Sequence, residues 1–242
     1  KMLKNGIITS PSTMTFETLA PAMARLDAGN GFGQIAGELA MRKAVSLART
    51  NGLGLVTVKT SNHFGAASYY CSIAAEAGCL GMTFTNATPK VAPYGGTKAI
   101  FGTNPVAFGC PTSTGRPILV DFSTSSIAGS TIRNLNEKGG KLPEGVALDK
   151  SGKPTTDPAA LASGSLLPTA GPKGFGLGLM VEIFCGILAG AGMSHEVGPF
   201  YSTWKRSVNS GHLFMAINIG MLQPMSEYLA RVDGLVEEIR SS

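Results

Sequence analysis

The residues best placed for chemistry lie in Ser61-Asn62-His63-Phe64-Gly65-Ala66-Ala67. An apolar run, Leu53 to Val58, precedes them and reads as a buried strand; Ser68 to Gly78 follows and reads as a helix. A polar turn carrying a histidine therefore sits where a strand hands over to a helix. Unpaired N–H groups at a helix N-terminus favour anions, and α/β proteins place ligands at such turns. His63 is a candidate ligand contact on this ground. A loop histidine without chemistry fits the same residues.

Two further stretches could serve an anion. Asp121-Phe122-Ser123-Thr124-Ser125-Ser126 closes an apolar run from Pro117. One carboxylate and four hydroxyls at a strand end suit a ribose or phosphate, and suit a helix cap equally. Lys173 stands at the mouth of an apolar helix in Gly171-Pro172-Lys173-Gly174-Phe175-Gly176-Leu177-Gly178. A lysine there opposes the helix dipole by roughly 0.3–1 kcal/mol, which a nearby anion would offset. Lys173 is thus either a phosphate or substrate contact or a solvated loop lysine. His212 reads as structural, and the three histidines (His63, His195, His212) have no metal-ligand spacing. Neither a GxSxG elbow nor a P-loop is present. The GxGxG at Gly174 lacks the upstream strand and downstream acid of a dinucleotide fingerprint.

The elements that must position these residues follow from periodicity. Lys1 to Lys4 reads as a helix end stopped by Asn5-Gly6, and Ile7 to Thr18 as loop or short strand. Leu26 to Gly33 is a glycine-rich turn. Gln34 to Asn51 is a helix with Ile35, Leu39, Ala44, Leu47 and Ala48 near one face. Leu53–Val58, Ser68–Ala77 and Leu80–Thr85 form a strand–helix–strand unit, which predicts neighbouring parallel strands. A strand ends near Phe108, another spans Pro117 to Phe122, and Asp157-Pro158 opens a short helix. Phe175 to Met193, long and apolar but holding Glu182 and five glycines, reads as a buried core helix rather than a membrane span. Gly211 to Asn218 reads as a strand. Gln223 to Arg240 is an amphipathic helix with Leu229, Val232, Leu235, Val236 and Ile239 inward.

Composition agrees with a globular chain. Of 242 residues, 43% are apolar and 14% charged, enough for a core and too apolar for disorder. The net charge of +5 is dispersed, with no basic run interleaved with aromatics, so no nucleic-acid partner is expected. A mildly basic chain suits a small anionic substrate or a phosphate-bearing cofactor. Cys71, Cys79, Cys110 and Cys185 form no CxxC pair, sit in apolar runs and read as structural thiols. No signal peptide opens the chain and no membrane partner is expected.

The order of several motifs says more. Ser-Asn-His-Phe-Gly at 61–65, Thr-Asn-Ala-Thr-Pro at 85–89, Ala-Pro-Tyr-Gly-Gly at 92–96 and Gly-Thr-Asn-Pro at 102–105 come first. Val-Asp-Phe-Ser-Thr-Ser at 120–125, Leu-Pro-Glu-Gly at 142–145, Thr-Thr-Asp-Pro at 155–158 and Lys-Gly-Phe-Gly-Leu at 173–177 follow. This series resembles the malate/L-lactate dehydrogenase family of the second type, which includes sulfolactate, ureidoglycolate and diketogulonate dehydrogenases and cyclic-imine reductases. The resemblance implies an α/β fold, a mixed sheet with flanking helices, that binds NAD or NADP without being Rossmann. It implies one region over residues 1–242, with the cofactor-binding part at about 60–190. It implies an oxidoreductase of small 2-keto or 2-hydroxy acids, a homodimer, and a cytoplasmic location. A cyclic-imine reductase, or an incomplete chain that only binds or dimerises, are the alternatives.

Site residues carry over by position. The resemblance assigns Phe64, Gly65, Ala66, Ala67, Ser68, Asp121, Phe122, Ser123 and Lys173 to the cofactor, and Thr103 to the substrate with His63 beside it. Gly129 and Ser130 are weaker cofactor candidates, because the turn reads Ala128-Gly129-Ser130-Thr131 where the family commonly has a charged residue. The family's proton-transferring histidine belongs to an Asp-Ser-His-Gly motif expected upstream of Lys1, and its Pro-Gly-Glu segment is expected beyond Ser242. No catalytic residue is therefore assigned within the chain, which reads as truncated at both ends.

Overall fold

The computed structural model describes residues 2–200 and 206–242. Its centre is a seven-stranded sheet in the order β1-β2-β3-β9-β4-β5-β6. The strands are β1 (Thr15–Ala20), β2 (Met23–Asp27), β3 (Leu53–Ser61), β4 (Cys79–Thr85), β5 (Val106–Cys110), β6 (Ile118–Phe122) and β9 (Ser210–Asn218). β2 and β3 run parallel, and every other neighbouring pair is antiparallel. The expected strand–helix–strand unit is present as β3, α2 (Ala67–Glu76) and β4, but its strands are not neighbours. β9 lies between them, antiparallel to both. Local pattern carries no record of a strand inserted from more than 100 residues downstream.

α1 (Gly33–Asn51) and α2 cover one face of the sheet. The residues of α1 that pack are Ala36, Ala40, Ala44 and Ala48, spaced four apart, with Met41 and Val45 beside them. Ile35 and Leu39, expected on that face, are 53% and 40% exposed. The cause lies in the sheet. A Cβ at Gly54 of β3 would stand 1.9 Å from the Ala44 carbonyl oxygen, so helix and strand approach at backbone distance. That spacing admits alanine and excludes the larger side chains. The opposite face packs Phe84, Leu213 and Met215 against Val181 and Cys185. These last belong to α4 (Pro172–Glu182) and its wider-pitched continuation, Ile183–Leu188. That segment is not wholly buried as expected: Leu179, Ile183, Ile187 and Leu188 are exposed. Among the described residues, no helix is long and apolar enough to cross a membrane.

A smaller lobe packs Val91, Phe101, Leu142, Val146, Ala147 and Leu166 around a short hairpin, β7 (Ala147–Leu148) with β8 (Ser165–Leu166). Against it lie α3 (Gly129–Glu137) and a 3-10 turn at Pro158–Ala162, capped by the Asp157 carboxylate through the Ala159 N–H. The expected loop at Ile7–Thr18 ends in β1, and the expected turn at Leu26–Gly33 is the end of β2 plus a tight turn. At the N-terminus, Met2–Asn5 forms turns closed by hydrogen bonds to Gly6 and Ile7, while Lys1 lies outside the described residues. α5 (Met225–Ser241) matches the expected helix, but Leu235 and Ile239 point outward, 55% and 63% exposed.

Candidate active site

The turn after β3 is anchored from below. His212 of β9 is fully buried and bridges the two strands beside it. Its Nε2 lies 2.8 Å from Ser61 Oγ and its Nδ1 2.7 Å from Thr85 Oγ1. Burial, and then the nearby His63, push its pKa down to about 3, so its ring is neutral. The Phe64 ring stacks on it, with centroids 4.5 Å apart and planes 12° from parallel. Phe64 is therefore a core side chain, and its carbonyl accepts the buried Tyr70 hydroxyl. Only the backbone past Phe64 meets the outside. Gly65 has φ +87° and open space where a Cβ would stand, and Ala66 is exposed. His63 turns outward. Its Nδ1 accepts the Gly65 N–H at 3.0 Å, and its ring meets Phe200 edge-on at 5.1 Å. The ring stands open to a cavity whose walls displace water, which lowers its pKa below 6.5.

The helix N-terminus beyond this turn is met by the protein itself. The Ser68 N–H donates to Asp121 Oδ2 at 2.9 Å, bringing together two of the expected site residues. Asp121 thus caps a helix, as one reading of its segment held, but the helix is α2 and not one that follows it. The hydroxyls after it tie loops together. Thr124 Oγ1 donates to the Thr103 carbonyl at 3.2 Å, and Ser126 Oγ to the carbonyls of Leu167 and Pro168. Ser123 Oγ accepts the Ser125 hydroxyl at 3.1 Å and makes a long 3.4 Å contact to the Ser125 carbonyl, and the Phe122 ring is 42% exposed at the sheet edge.

Thr103 is held rigidly from behind. The Thr124 N–H and hydroxyl both reach its carbonyl. The next residue, Asn104, is buried at φ +35°. Its amide donates to Glu182 Oε2 at 2.7 Å and to the Gly178 carbonyl at 3.1 Å, and its Oδ1 accepts the Ala87 N–H. Glu182 is a buried carboxylate without a cation among the described residues; it also accepts the Ser194 N–H at 2.7 Å. This support was not foreseen, although Asn104 lies in the quoted Gly-Thr-Asn-Pro motif and Glu182 is the one acid in its apolar run.

These parts enclose a cavity of about 530 Å³. His63, Thr103, Gly129 and Ser130 line it, all four expected site residues. Lys90, Arg133 and Asn136 line it too, and sequence reasoning had passed over them. The remaining walls include Ile132, Leu161, Leu166 and Phe200, and no carboxylate is among the lining residues. α3 opens onto it with Ala128 at its N-cap, no side-chain cap and no acid in its first turn, leaving N–H groups for an anion. Lys173, at the second position of α4, lies outside the lining residues, as do the remaining turn residues Phe64 to Ser68. A nucleotide's phosphates and a 2-keto acid's carboxylate are both matched by a volume of this size with donors and cations only.

A mixed α/β sheet without a Rossmann fingerprint carries an anion-suited cavity beside its third strand. Comparison with known proteins sharpens this. The malate/L-lactate dehydrogenase family profile matches residues 1–242. A malate dehydrogenase of Pyrococcus abyssi is 41% identical over 249 residues, covering 100% of this chain and 67% of that protein. A Pseudomonas aeruginosa Δ1-pyrroline-2-carboxylate/Δ1-piperideine-2-carboxylate reductase is 37% identical, covering 98% of this chain and 72% of that protein. Among solved structures, sulfolactate dehydrogenase from Methanocaldococcus jannaschii superposes with a TM-score of 0.91 at 38% identity, covering 100% of this chain and 69% of that one. The chain belongs to the malate/L-lactate dehydrogenase family, an NAD(P)-dependent class of 2-hydroxy acid oxidoreductases.

Proposed function

We propose that this protein reduces a small 2-keto acid to the 2-hydroxy acid, and runs the reverse, in the cavity between the His63 turn and α3. The observation that carries the reading is the lining itself: donors and cations around apolar walls, with no carboxylate. A nicotinamide bound here would supply or accept the hydride at C2 of the acid. What the chain contributes is binding and orientation. The Thr103 hydroxyl, fixed through Asn104 and Glu182, donates to a substrate oxygen. Gly129 and Ser130 offer the N–H groups of α3 to a cofactor phosphate, while the turn from Phe64 to Ser68 and the segment Asp121–Ser123 shape the cofactor's other wall. Lys173 supplies positive charge at the mouth of α4. His63 closes the cavity as a neutral imidazole, and the proton moves through another group. The cofactor-binding part is the stretch of about 60–190 within a single region spanning 1–242.

A cyclic-imine substrate is the second reading, favoured by the likeness to the Pseudomonas reductase. The protein works as a homodimer in the cytoplasm; outward apolar side chains on α5, among them Leu235 and Ile239, support the dimer. The test is a panel of pyruvate, oxaloacetate and Δ1-piperideine-2-carboxylate against NADH and NADPH, run on the full-length protein, whose mass is measured by sedimentation equilibrium. A keto acid that drives cofactor oxidation in a dimer is the expected result. Turnover of the imine alone transfers the reading to imine reduction, and no oxidation with any member ends it.

A further inference from the structure

Lys90 is a cation that nothing above has used. Its backbone is pinned on both sides: its N–H donates to the Phe101 carbonyl at 2.7 Å, and its carbonyl accepts the Leu166 N–H at 2.7 Å. The next residue, Val91, forms bridges to Phe101 and Leu166 as well. The lysine thus rises from a fixed ladder rather than a loose loop, and its side chain lines the cavity together with Thr103 and His63. It joins no ion pair among the described residues. The ion pairs there are Arg25–Glu17, Arg42–Glu38 and Lys59–Asp27, none of whose members lines the cavity. A lysine held at a partly apolar wall with no carboxylate in reach is matched by an anion from outside.

The anion can be a second acidic group on the substrate or a phosphate of the cofactor. Two features favour the substrate. Lys90 lines the same cavity as Thr103, the proposed substrate contact, and its carbonyl holds the N–H of the apolar lining residue Leu166. The cofactor's phosphates already have the uncapped first turn of α3. We infer that Lys90 is a specificity-determining residue that binds the distal anionic group of a dianionic 2-keto acid. The chain then prefers a dianionic keto acid such as oxaloacetate over pyruvate-like monoanions. This rests on the substrate reading given above.

Calorimetric titration of oxaloacetate and pyruvate in the presence of saturating NAD+, which cannot reduce them, and of NADH alone tests it, with the wild type, K90M and K90R compared. Lys90 is exposed, so both variants should fold. K90M is expected to weaken oxaloacetate by about tenfold, the scale of one hydrogen bond to a charged group. Pyruvate and NADH should stay within about twofold, and K90R should keep most of the oxaloacetate affinity. Equal loss for both acids would place Lys90 on the shared carboxylate and overturn the inference. A loss confined to NADH would place it on a cofactor phosphate and overturn it as well, as would no change in any ligand. If the wild type binds neither acid, the substrate reading itself fails, and the Lys90 inference with it.

Discussion

The two histidines near the β3 turn differ because of where their strands leave them. His63 points into the cavity and holds the Gly65 N–H on Nδ1, which needs that nitrogen deprotonated. His63→Asn is expected to raise the keto acid KM about three- to tenfold and to leave kcat within about fivefold. A kcat loss of about a thousandfold or more would instead make His63 the proton carrier. His212 is buried between Ser61 and Thr85, with its pKa pushed down to about 3 from 6.5. Between those values the unfolded chain binds a proton that the folded chain refuses. The stability linked to this residue is complete above about pH 6.5 and falls as pH drops toward 3, by up to about 1.4 kcal/mol per pH unit. Urea unfolding across that range should show the slope, and His212→Gln should flatten it while costing about 2–4 kcal/mol near neutrality. An unchanged slope in the variant would remove His212 from the account. Sequence alone reads His212 as structural but does not show its burial: a histidine beginning a strand looks the same whether a neighbouring strand buries it or not.

At the scale of elements, the His63 turn is only as rigid as the contact of α1 and α2 with the sheet. Gly54 is the closest point of that contact. Gly54→Ala forces a Cβ into the Ala44 carbonyl, and neither backbone can yield without moving α1. A loss of about 1–3 kcal/mol in chemical denaturation is expected. A neutral result would mean that the helix can ride outward freely. The same contact explains what periodicity revealed and what it concealed. The position of α1 follows from its period and from the glycine after it, but its buried face does not. The pattern favours the large residues Ile35 and Leu39, and the sheet admits the alanines. The order β3-β9-β4 was hidden for a related reason, since pairing between distant segments leaves no local mark.

For the whole molecule, the outward apolar residues of α5 and of the Ile183–Leu188 turn follow from amphipathic runs whose second face finds no neighbour among the described residues. Sequence alone named four of the residues that line the cavity, His63, Thr103, Gly129 and Ser130, the first two because Ser-Asn-His-Phe-Gly and Gly-Thr-Asn-Pro are compact motifs. It missed Lys90 and Arg133, which enter only when the smaller lobe folds against the sheet and α3 crosses it. The central claim is that the substrate and the nicotinamide meet in that cavity. A crystal structure with NADH and oxamate, a non-reacting stand-in for a keto acid, tests it most directly. The expected density lies between His63, Thr103 and Ser130, with the oxamate within hydrogen-bond reach of the Thr103 hydroxyl. Oxamate density outside that cavity, with the Thr103 hydroxyl unengaged, would contradict the account.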